Sequence, residues 1–184
     1  MTTKTAPQTI QLMTSKIKIN QVTDEREPSS ENNRFYPRYS RFILKALKRN
    51  RFQKFLNLML KLEDIGENNI DSIKIEPYPF YKRTGPSLAG KCNPFTGKIR
   101  IYPKSRKFCN SFNEKYGKNL LITYAGNRAR ASLIHELLHL KYISDECKVR
   151  ALTKTYFLKY VKSIYGENLD SLSVCNLIFE RKET

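Results

Sequence analysis

The chain has no tryptophan, two histidines and four cysteines in 184 residues, and it is short of acids. Seventeen Asp+Glu stand against 34 Lys+Arg, a formal net charge of +17. Each scarcity excludes something. Cys92, Cys109, Cys147 and Cys175 are scattered, with no CxxC pair; that spacing argues against a zinc ribbon and offers no disulfide framework. No eighteen consecutive apolar residues occur, so no transmembrane helix is expected. The N-terminus lacks the basic, apolar and small-residue regions of a secretory signal, and the expectation is a soluble cytoplasmic protein. At 40% hydrophobic and 11% aromatic the composition is globular, neither disordered nor fibrous. The cation excess speaks to association with acidic partners rather than to fold.

Residues 1–33, rich in Thr, Ser, Gln, Asn and Pro, read as a flexible polar tail, and 34–184 as one domain of sufficient size to bury a core. Apolar residues at helical spacing from Ser40 to Leu62 (Phe42, Ile43, Leu47, Phe55, Leu56, Leu58, Met59, Leu62) predict one amphipathic helix with a basic polar face, ended by Gly66. Ile73 and Ile75 alternate with charged residues and predict a strand closed by Pro77 and Pro79. Thr84 to Gly90 carries loop signals, and 93–97 a turn. Lys98 to Tyr102 alternates again as a strand, and Ser105 to Tyr116 predicts a short helix. Residues 127–142 are apolar on most sides, the mark of a helix buried mid-domain, and a further helix follows over 145–165. Leu169 to Phe179 is apolar without a clear period. The expected class is α+β: a small sheet packed on a buried helix, with a further helix after it.

Both histidines fall in one stretch, His135-Glu136-Leu137-Leu138-His139. Four residues apart on a helix, His135 and His139 project from one face, so two imidazoles can share one metal ion, with Zn²⁺ the usual occupant. Glu136 lies about 100° round from His135. It can reach a water on the metal without ligating the metal, and so act as the catalytic base. A catalytic zinc site needs a third protein ligand. Histidine is exhausted, which leaves a carboxylate or Cys147. Glu146 projects nearer the centre of the apolar face of the 145–165 helix than Asp145 does, and is the first candidate metal ligand; Asp145 is the second.

The HExxH spacing resembles the zincin metallopeptidases. The resemblance implies a zinc-dependent hydrolase acting on a peptide or protein substrate, with Glu136 as general base and an edge strand above the metal for substrate pairing. Lys98 to Tyr102 is a candidate for that strand, or else an ordinary strand of the sheet. Where metzincins carry a turn glycine this chain has Tyr142, and where SprT-like and small intracellular zincins place a third histidine it has none near Asp145. Gluzincin-like families take a glutamate from the following helix, which suits Glu146. Tyr142, Tyr156 and Tyr160 are candidates for an oxyanion-stabilising phenol or for core positions.

Nine basic residues lie from Arg34 to Lys61, and ten from Lys82 to Lys118 against the single acid Glu114, with aromatics interleaved. Such a surface can grip a phosphate backbone, although no nucleic-acid-binding motif is present. The alternative function is therefore a basic nucleic-acid-associated protein with a zincin-like, non-catalytic core.

Overall fold

The computed structural model describes residues 17–22, 31–76, 89–166, 173 and 176–179. Its class is α+β. In chain order the elements are β1 (Ile19–Gln21), α1 (Glu31–Leu47), α2 (Asn50–Leu62), β2 (Ser72–Ile75), β3 (Gly90–Asn93), β4 (Lys98–Ile101), α3 (Arg106–Tyr116), α4 (Lys118–Tyr142) and α5 (Glu146–Tyr165). The strands form one mixed sheet in the order β1-β2-β4-β3, parallel except for the β3–β4 hairpin.

Isoleucine builds the inner face of the sheet. Ile19, Ile73 and Ile99 stand in one cross-strand row that ends at Cys92; Ile75 and Ile101 stand in the next, which ends at Gly90. All five isoleucines are buried, at a gain of about 1.5–3 kcal/mol each. Their neighbours Lys74, Lys98 and Arg100 point to solvent, which is the period-2 alternation seen in the sequence. The hairpin closes where the turn signal lies: Asn93 Oδ1 accepts from the Phe95 and Thr96 amides at 3.1 Å. Gly97 takes φ +63°, and a Cβ there would meet the Asn69 carbonyl oxygen at 2.2 Å.

Four expectations are corrected. Residues 40–62 form two helices, because the chain turns at Arg49 (ψ 131°). A straight helix would set Leu47 and Phe52 about 140° apart; the break lets both bury fully. Leu58 and Leu62 are exposed, since the inward stripe of α2 is Phe52, Leu56, Met59 and Leu60. Ile19–Gln21, inside the supposed tail, is a strand because Ile19 completes the first isoleucine row. Gly90, read as loop, begins β3, and β3 rather than Lys98–Ile101 is the edge: β4 is flanked by β2 and β3. Residues 77–88, with their proline and loop signals, and most of 169–179 lie outside the described residues.

α4 runs through the middle of the fold, against α1, α3, α5, β3 and β4. Ala125, Ala129, Leu133, Ile134, Leu137 and Leu138 are buried around it, as its all-round apolar sequence requires. Its start at Lys118 is nine residues earlier than the pattern suggested.

Candidate metal centre

His135 and His139 sit in the last two turns of α4, and Glu146 opens α5 after the short turn at Ile143 and Ser144. The turn folds the two helices back on each other and brings the three side chains together. The His135 and His139 Nε2 atoms are 3.2 Å apart. Glu146 Oε2 is 3.2 Å from the second and 3.8 Å from the first. Tetrahedral ligands at about 2.0–2.1 Å from a zinc ion are separated by roughly 3.3 Å, so the three atoms are spaced as such a ligand set would be. Among the described residues this is the one group of three or more His, Cys, Asp or Glu side chains able to hold a metal ion.

The other ring nitrogens have partners of their own, which leaves both Nε2 atoms for the shared point. His139 Nδ1 lies 2.7 Å from the Ile143 carbonyl oxygen, which can only accept, so Nδ1 carries the proton. His135 Nδ1 lies 3.3 Å from Thr153 Oγ1, and that hydroxyl already donates to the Val149 carbonyl. Nδ1 of His135 is therefore the donor too. With Nδ1 as the protonated nitrogen of each neutral ring, the two Nε2 atoms would present lone pairs to one point, the arrangement in which two imidazoles share a cation. Burial, reinforced by the charges of His139 and Arg150, holds His135 below the ordinary imidazole range against the opposing pull of Glu146. The neutral ligand form is favoured.

Burial alone would raise the Glu146 carboxyl, but the Arg150 hydrogen bond and the nearby imidazoles hold it low. Arg150 Nε takes Oε1 at 2.6 Å, leaving Oε2 for the histidines. Asp145, the other carboxylate considered, is not in the group: its Oδ1 accepts the Lys148 amide at 3.0 Å as the N-cap of α5. Cys147 is exposed on α5.

Glu136 is set apart from the ligand group, 7% exposed beneath β3. The second isoleucine row ends at a residue without a side chain, and Glu136 fills the space. A Cβ on Gly90 would stand 2.7 Å from both Cγ and Oε1 of Glu136. Burial, then the charge of Glu146, push the Glu136 carboxyl up to about 8, against one stabilising hydrogen bond from the Cys92 amide. A cavity of about 550 Å³ opens onto His135, Glu136 and Glu146.

The tyrosine candidates serve elsewhere. The Tyr142 and Tyr156 hydroxyls both donate to the carboxylate of Glu63, and Tyr160 is buried edge-on against Phe52. None of the three lines the cavity. Sequence reasoning missed Thr153, Arg150, the Ile143 carbonyl, Gly90 and Glu63. Thr153 and Arg150 were within reach of periodicity, being seven and four residues after Glu146 on α5. The role of Gly90 depends on a strand register that no local pattern announces. No model of a known protein family matches the chain, and neither a curated protein nor a solved structure does, so the chemistry of the site is read from its own geometry.

Proposed function

We propose that the protein is a zinc-dependent peptidase. The observation that carries this reading is the convergence of His135 Nε2, His139 Nε2 and Glu146 Oε2, with the two nitrogens 3.2 Å apart and the carboxylate oxygen 3.2 Å from the second. His135, His139 and Glu146 would hold the ion. When bound, zinc supplies Lewis acidity, polarising a substrate carbonyl and acidifying water.

The proton chemistry falls to Glu136. It faces the same cavity as the ligand group and is free of ligand duty. Its carboxyl is held at the Cys92 amide and beneath Gly90. From there it takes a proton from water and returns it to the leaving amine. β3 pairs on one side only among the described strands, and its other side can add an extended peptide by main-chain hydrogen bonds. The substrate is then a protein or peptide chain.

The test is zinc content and casein turnover of the purified protein, with Glu136→Gln as control. Zinc at one equivalent is expected in both, and turnover in the parent is expected to exceed the variant by about 10²–10⁴-fold. Stoichiometric zinc without cleavage, together with salt-sensitive DNA binding, would overturn the reading in favour of a nucleic-acid-associated protein on a zincin-like core.

A further inference from the structure

The cavity that opens onto His135, Glu136 and Glu146 continues along α4 toward its N-terminal half, and its wall changes character there. Phe108, Phe112 and Tyr124 form a continuous aromatic surface, their ring centres 4.9 to 5.7 Å apart. Two cations stand against it. The Lys104 ammonium lies 4.8 Å above the centre of the Phe108 ring. Arg128 is 7% exposed, and its Nη1 donates to the Tyr102 carbonyl at 2.8 Å.

No carboxylate of the described residues lies within ion-pair distance of Arg128. Among the described residues, the two acids that line the cavity belong to its other end: Glu136 is eight residues along α4 from Arg128, about 12 Å of helical rise, and Glu146 is in the ligand group. Burial and the charge of Arg128 hold the Lys104 ammonium below its ordinary value, as expected of two cations sharing one wall. A buried guanidinium with a carbonyl partner and no counter-charge favours an incoming anion. The rings beside it favour an aromatic group.

We propose that this end of the cavity recognises a peptide group that presents a carboxylate beside an aromatic ring, the carboxylate meeting Arg128 and Lys104 and the ring meeting Phe108, Phe112 and Tyr124. The carboxylate comes either from an acidic residue next to an aromatic one or from a C-terminal aromatic residue. The proposal rests on the peptidase reading and narrows its substrate. Arg128 precedes His135 by seven residues, about 10 Å along the helix. An extended peptide covers that distance in roughly three residues, so the bond cleaved lies about three residues from the anchored group.

Because the chain has no tryptophan, a tryptophan-bearing peptide reports its own binding by fluorescence. The protein is the zinc-loaded full chain with Glu136→Gln, which prevents turnover. Three peptides of equal length are titrated: one ending in a free Trp carboxylate, one amidated with internal Trp-Glu, and one amidated with internal Trp-Gln. At least one of the first two is expected to bind about tenfold more tightly than the third, and which one does so identifies the source of the carboxylate. Arg128→Gln and, separately, Lys104→Gln are expected to abolish that preference while changing the Trp-Gln affinity less than about threefold. The Lys104 variant decides the matter where the Arg128 variant does not fold. Equal affinity for all three peptides overturns the proposal, as does a preference that survives the variants, or a peptide with Ala in place of Trp that competes off the fluorescent one as well as its Trp parent does. Displacement of the peptide by a short single-stranded oligonucleotide at comparable concentration also overturns it, in favour of a base-and-phosphate site. Casein cleavage by the parent without peptide discrimination removes this pocket and leaves the peptidase; discrimination without cleavage does the reverse.

Discussion

Glu63 and Glu136 expose equally little surface, 7% each, yet their surroundings push their carboxyls in opposite directions. Burial alone would raise Glu63, but the Tyr142 and Tyr156 hydroxyls and the Lys141 charge outweigh it and hold the carboxyl below the usual range. Glu136 receives one backbone amide and faces the like charge of Glu146, so burial dominates and its carboxyl rises to about 8. Glu136 is enclosed far more deeply than Glu63, and its partners differ in number and sign; both differences separate the two. Glu63 is a strut: it ties the end of α2 to Tyr142 at the end of α4 and to Tyr156 on α5. It thereby steadies the turn that carries the Ile143 carbonyl and Glu146. Glu136 is left short of partners at the mouth of a cavity, which is where proton chemistry needs a carboxyl.

The largest expected effect is at the Glu136 end. Gly90→Ala places a methyl where Cγ and Oε1 of Glu136 now lie, so the carboxyl must move. Turnover is expected to fall about 100-fold, with zinc content unchanged by metal analysis. Full turnover in that variant would mean that β3 does not position Glu136.

Next is the ligand group. Thr153→Val keeps the shape but removes the acceptor of the His135 Nδ1 proton. Zinc affinity, measured by competition with a chelator, is expected to drop about 10- to 100-fold. An unchanged affinity would remove Thr153 from the site.

The strut is tested by stability. Glu63→Gln can accept from only one phenol where the carboxylate accepts from two, and is expected to cost about 1–3 kcal/mol at pH 7 in urea unfolding. The folded carboxyl titrates below its unfolded value near 4.3. Its contribution is therefore complete above that value and lost as pH falls through the lower, folded one. Parent and variant should converge as pH falls through that folded value; a gap that persists below it would place the loss in packing rather than charge.

The smallest effect is at Asp145, the carboxylate next to Glu146 that only caps a helix. Asp145→Ala should cost about 1 kcal/mol of stability and leave zinc affinity within about twofold. A large loss of zinc would return Asp145 to the ligand set.

Local patterns carried the fold a long way. The isoleucine alternation at 73–75 and 98–102 and the turn at 93–97 are nearest-neighbour signals, and the structure has a strand, a strand and a hairpin there. The all-round apolar stretch at 127–142 became the central helix. Short elements with one informative residue escaped. Ile19 is a strand residue only because two distant isoleucines stand beside it, and Gly90–Asn93 has no periodicity of its own.

The sequence by itself determined the candidate donors. Two histidines one helical turn apart must share a face, whatever the helix packs against, and Glu136 must sit beside them. The acids available to complete the set were few, so Glu146 and Asp145 could be named in advance. Only the tertiary structure brought Glu146 rather than Asp145 to the histidines, because that depends on how α5 folds back across α4 at Ile143. It also chose the partners of the two Nδ1 atoms and put β3 at an edge of the sheet. Those depend on groups far apart in the chain, Thr153 with His135 and Gly90 with Glu136, whose meeting no spacing in the sequence records.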